Sequence, residues 1–96
     1  MKQIPLNNET QAIAERLIWF EPADVALSNP VRFMAYAFAR ATHEDMKVLQ
    51  SHVGEDGLRE ALDNAPAGII DPRSWAYWNA RMGRYSTPRM PGRRLA

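Results

Sequence analysis

The chain has 96 residues, 46% of them apolar and 24% charged, the composition of one ordinary globular domain. It has no cysteine, which excludes disulfides and thiolate metal sites, and its longest apolar run, Phe33 to Ala39, is far shorter than the roughly 20 residues that span a bilayer. The net charge of +1 conceals −5 over residues 1–71 and +6 over residues 72–96, where six arginines stand without a single acid.

Met1 to Asn8 reads as an extended lead-in, and after Lys2 the polar residues Asn7, Asn8 and Glu9 interrupt any signal-like stretch. The expected location is the cytoplasm. From Glu9 the spacing Ile13, Leu17, Phe20 predicts an amphipathic helix that Pro22 ends. Ala23 to Leu27 has room for about one turn. Asn29-Pro30 is a cap followed by a first-turn proline, and the helix it opens is apolar on nearly every side. A helix of that kind is buried, so residues 30–41 are expected at the centre.

Thr42 with Asp45 forms an approximate capping box, and Met46, Leu49 and Val53 give the next helix a buried stripe that Gly54 stops. Glu55 to Ala65 predicts a fourth long helix with Leu58, Ala61, Leu62 and Ala65 inward. After the break at Pro66-Ala67-Gly68, Asp71-Pro72 repeats the cap-plus-proline signal. Ile70 and Trp75 there have the spacing of a hydrophobic staple. Trp75, Trp78 and Met82 share one face of this last helix, Tyr77 and Arg81 the opposite one, and Gly83 ends it. The predicted fold is all-α: a compact bundle of about five short helices over residues 1–83, followed by a basic, proline-containing tail over 84–96.

Little in the sequence points to catalysis. His43 and His52 are nine positions apart and do not share a helical face. His43-Glu44 begins like a zinc-protease signature, but Lys47 stands where the second histidine belongs. Ser28, Ser51, Ser74 and Ser86 lack a flanking pattern that would activate a nucleophile. No enzyme, metal or cofactor is expected. A helix-turn-helix around Gly54 is excluded by charge, since its second helix would bring Glu55, Asp56, Glu60 and Asp63 to the phosphates.

What remains is the basic end of the chain. Arg73, Tyr77, Arg81, Arg84, Arg89, Arg93 and Arg94 are the candidate partner-binding residues, their guanidiniums suited to carboxylates or phosphates. Pro88-Arg89-Met90-Pro91 has the spacing of a polyproline-type ligand. With so few apolar residues, the tail is expected to be mobile or to lie loosely on the acidic stretch from Glu55 to Asp63.

Two segments, Leu58-Arg59-Glu60-Ala61-Leu62-Asp63-Asn64-Ala65-Pro66 and Asp71-Pro72-Arg73-Ser74-Trp75-Ala76-Tyr77-Trp78-Asn79, with Trp19-Phe20 upstream, resemble a group of small uncharacterised bacterial proteins. Some of these are encoded beside nucleotidyltransferases of the abortive-infection type, the toxin half of a toxin–antitoxin system. The resemblance implies an all-helical, antitoxin-like companion and supplies no catalytic residues. The expected function is therefore that of a non-enzymatic interaction protein, the accessory or antitoxin-like partner of a larger bacterial enzyme such as a nucleotidyltransferase-type toxin. The alternative is a small RNA- or DNA-binding protein that uses the Arg-rich C-terminal segment. Self-association is left open by the sequence.

Overall fold

Asn7, Asn29, Thr42 and Asp71 each accept a hydrogen bond from the backbone N–H three residues on, at 2.9–3.2 Å, and each opens a helix. The computed structural model describes residues 1–84 and 86–91. Among them five helices follow one another without a strand: α1 (Asn8–Leu17), α2 (Ala23–Leu27), α3 (Pro30–Arg40), α4 (His43–Asp63) and α5 (Pro72–Arg81). The all-α bundle expected from the punctuation is the fold observed. None of the described helices is long and apolar enough to cross a membrane.

α3 is the central element and packs against each of the other four helices. Phe33, Met34 and Ala35 are wholly buried, joined by Ala37 and Phe38. Leu49, Val53, Leu58 and Leu62 of α4, Ile13 and Leu17 of α1, and Leu27 of α2 complete the core. Each large side chain so buried contributes about 1.5–3 kcal/mol. α4 and α5 both lean on α3 more closely than on each other. That leaves a gap between them above the C-terminal end of α3.

α4 is two helices joined at Gly54, whose φ of 74° and ψ of 172° lie in a region that essentially only glycine occupies. The space around Gly54 is open, so a side chain there would meet strain in the backbone and no clash. Gly54→Ala is expected to lower stability by about 1–3 kcal/mol in a denaturant titration. An unchanged midpoint would mean that the break is not required.

α1 ends earlier than the spacing of its apolar residues predicts. The chain leaves helical geometry at Ile18 (φ −128°, ψ 69°), so the step that would place Phe20 over Leu17 is lost. Ile18 is wholly buried, whereas Trp19 and Phe20 are 75% and 50% exposed. Arg40 helps fix this early stop, because its Nη1 donates to the Leu17 carbonyl at 3.1 Å, satisfying one of the acceptors a helix end leaves open.

Three polar residues in the core each tie segments together. Thr10 Oγ1 donates to the Pro5 carbonyl at 2.6 Å, which holds the lead-in. Asp45 accepts from both terminal nitrogens of Arg16, at 2.6 and 2.8 Å, while also capping Thr42 N at 3.2 Å. Asn79 donates to the Trp75 carbonyl at 2.9 Å and accepts from Arg84 at 2.8 Å.

The segment after Gly83 is held more firmly than its composition suggests. Arg84 also pairs with Asp63 at 2.7 Å, which does set the first tail arginine on the acidic helix. The Trp75 indole N–H donates to the Pro88 carbonyl at 2.7 Å, so the chain runs back along α5. Met90 packs against the core. The Pro88–Pro91 stretch, read from sequence as a ligand for another protein, is thus engaged within this one.

Candidate functional site

The gap between α4 and α5 is a groove of about 280 Å³. Its floor is Phe38, Met46 and Trp78, and its walls carry His43, Lys47 and Gln50 from α4 against Ser74, Tyr77 and Arg81 from α5. The helical repeat explains this lining. Positions 43, 47 and 50 recur at four and three on α4, and 74, 78 with 77, 81 recur at four on α5. Each row therefore presents one continuous edge to the gap.

Trp78 builds the groove by satisfying the helix beneath it. Its indole N–H donates to the Phe38 carbonyl at 3.0 Å, one of the last carbonyls of α3. Its ring lies 5.2 Å from Phe38 at 55° and 5.2 Å from Tyr77 at 89°. Trp78 is therefore half-buried rather than fully in the core, unlike Trp75. Tyr77 stands edge-on to it, 52% exposed, with the Arg81 guanidinium 6.0 Å from its ring centroid.

The charge of the groove is one-sided. Among the described residues no carboxylate lines it, and Arg81 has no ion pair. Lys47 reaches Glu44 at 3.8 Å with both side chains exposed, a pairing of about 0–1 kcal/mol. Glu55 borders the adjoining depression, where Arg59 holds it at 3.2 Å.

The start of α4, which carries His43 and Lys47, is fixed by Asp45. The Arg16 guanidinium, hydrogen-bonded to its carboxylate, holds the Asp45 pKa below its ordinary value against the opposing effect of burial, with Thr42 assisting. At the start of α5, hydrogen bonds from Ser74 lower the Asp71 pKa in the same direction. Both cap carboxylates are thereby kept charged where the positive end of a helix favours them.

Of the candidate partner-binding residues, only Tyr77 and Arg81 line the groove, where His43 and Ser74, set aside in the sequence as catalytic candidates, also lie. Arg73 lies one turn earlier on the same exposed ridge of α5. Arg84 is withdrawn into its bonds with Asp63 and Asn79, and Arg89 is exposed on the returning segment. Arg93 and Arg94 lie outside the described residues. His43, Lys47 and Gln50 were not anticipated as site residues. Their three-and-four spacing was visible, but nothing local says that this edge of α4 faces α5.

A second exposed aromatic surface lies at the end of α1. Trp19 meets Phe20 edge-on at 5.6 Å, and Phe20 meets Tyr36 at 6.0 Å. Tyr36 has Arg32 and Arg40 at 5.3 and 5.2 Å from its ring. No group of three His, Asp or Glu side chains is arranged to hold a metal ion among the described residues. Compared with known protein families, with curated proteins and with solved structures, the chain matches none.

Proposed function

We propose that this chain is a non-enzymatic interaction protein, the small companion of a larger protein, and that it binds that partner through the groove between α4 and α5. The observation that carries this reading is Tyr77, half exposed and braced by Trp78 and Arg81 at the lip of a concave surface. Tyr, Trp and Arg dominate binding energies when they surround a pocket that a partner can dry. Here α5 and the Trp78–Phe38 hydrogen bond hold the aromatic wall in place, which limits the ordering that binding would otherwise cost.

A nucleic-acid strand is the alternative occupant, since Arg73, Tyr77 and Arg81 form a basic row with a stacking ring. The surrounding charge argues against it. Glu44 stands beside Lys47 on one wall and Glu55 lines the adjoining depression, so a continuous phosphate backbone would be repelled on leaving the centre. The resemblance to companions of nucleotidyltransferases gives the larger protein an identity to test first, an antitoxin-like role toward such an enzyme.

The test is co-expression of the tagged chain with the product of the adjacent gene. The pair Tyr77→Ala and Arg81→Ala is expected to weaken the complex by about tenfold or more. Both side chains are exposed, so the melting temperature should hold. Undiminished binding by this variant would reject the groove as the interface. Affinity that falls steeply and log-linearly with salt would favour phosphate contacts instead.

A further inference from the structure

We infer that the groove receives an acidic peptide segment of the partner, with a carboxylate between Lys47 and Arg81 and a neighbouring apolar side chain on the Phe38–Met46–Trp78 floor. This rests on the interaction reading above and names the chemistry of the partner. Two observations carry it. The walls supply two cations from opposite helices, Lys47 and Arg81, with no carboxylate among the described lining residues to neutralise them. Among the described residues, Lys47 has only its exposed contact with Glu44 to give up, and Arg81 has no ion pair to break. A guanidinium donates a charge-assisted, two-pronged hydrogen bond to a carboxylate, and this strengthens as water is excluded.

Size narrows the occupant further. About 280 Å³ is just under the roughly 300–1,000 Å³ of small-molecule sites, so it suits one or two side chains better than a whole cofactor. The floor is apolar, two of its three residues aromatic, which selects against a purely charged ligand. An alternation of acidic and apolar side chains meets both demands. A polyanion does not, because Glu44, in contact with Lys47, and Glu55, in the adjoining depression that Arg81 also lines, flank the site.

The probe is a short acetylated, amidated peptide of glutamate and leucine with one phenylalanine, titrated into the full isotope-labelled chain and followed by amide and indole cross-peaks. The same peptide with glutamine for glutamate, and an oligothymidylate of similar length, are titrated in parallel. The acidic peptide is expected to shift residues 43–50 and 74–81 and the Trp78 indole, and to bind about tenfold more tightly than the glutamine form. Lys47→Glu with Arg81→Glu should abolish the shifts, and a lysine-for-glutamate peptide should restore them in that variant. Equal binding of the glutamine form, or stronger shifts from oligothymidylate at these residues, would overturn the inference. The partner complex separates the two levels. If Tyr77→Ala with Arg81→Ala releases the partner while the double charge reversal retains it, the interaction stands and the acidic ligand falls. If both variants retain the partner, the interaction through this groove falls as well.

Discussion

Replacing Trp75 with alanine is expected to lower stability by about 3–5 kcal/mol, the loss typical of a large aromatic side chain removed from a core. Trp75 is 4% exposed and does two things at once. Its ring fills the space under α5, and its indole N–H closes the returning segment through the Pro88 carbonyl at 2.7 Å. Ending the chain at Gly83 isolates the second of these. It strands the indole donor, exposes core surface under Met90 and removes Arg84 from Asn79 and Asp63. A buried donor left without a partner costs about 1–3 kcal/mol, and a hydrogen bond to a charged group contributes about 1.5–3 kcal/mol. Against this stands the ordering cost that the segment no longer bears. The shortened chain should therefore lose about 2 kcal/mol and melt roughly 8–16 °C lower. A melting temperature unchanged by the truncation would return the tail to the loosely held state its composition suggests.

Asp45→Ala is the second large effect, about 2–3 kcal/mol. One carboxylate ends a bidentate pair with Arg16 and closes the Thr42 capping box. Charge-assisted bonds and a helix cap contribute about 1.5–3 and 0.5–2 kcal/mol respectively. Arg16 is half exposed and can return to water, which keeps the loss below that of a stranded buried ion. The same bonds set a pH dependence. Because the Asp45 pKa is lower in the folded chain than the unfolded value of about 3.9, its stabilisation is complete above that value. It is lost as pH falls through the folded pKa. Acid titration of Asp45→Ala should show a shallower decline below about pH 4 than the parent, and parallel curves would dismiss the pair as a contributor.

Residues that act on near neighbours were legible in the sequence. Asn29-Pro30, Thr42 with Asp45, Gly54 and Asp71-Pro72 each mark a helix boundary through contacts within a few positions. The central place of α3 followed from its lack of a polar face. The end of α1 did not follow, because Arg40, 23 residues away, supplies the donor at Leu17. Phe20 was accordingly expected inward and is half exposed. The docking of the tail was hidden for a related reason: its acceptor is a backbone carbonyl, which every residue has. In the groove, Tyr77 and Arg81 were visible from charge and helical face. His43, Lys47 and Gln50 were not, since their place opposite α5 depends on the turn at Gly54 and on how both helices lean on α3.

We propose the α4–α5 groove as the surface that binds a larger protein, and the aromatic surface around Trp19 is its competitor. Hydrogen–deuterium exchange of the chain, free and in complex with the adjacent gene's product, tests it most directly. Slowed exchange over residues 43–50 and 74–81, with residues 18–25 unchanged, is the predicted result. Protection confined to residues 18–25, with the groove segments exchanging as in the free chain, would contradict it.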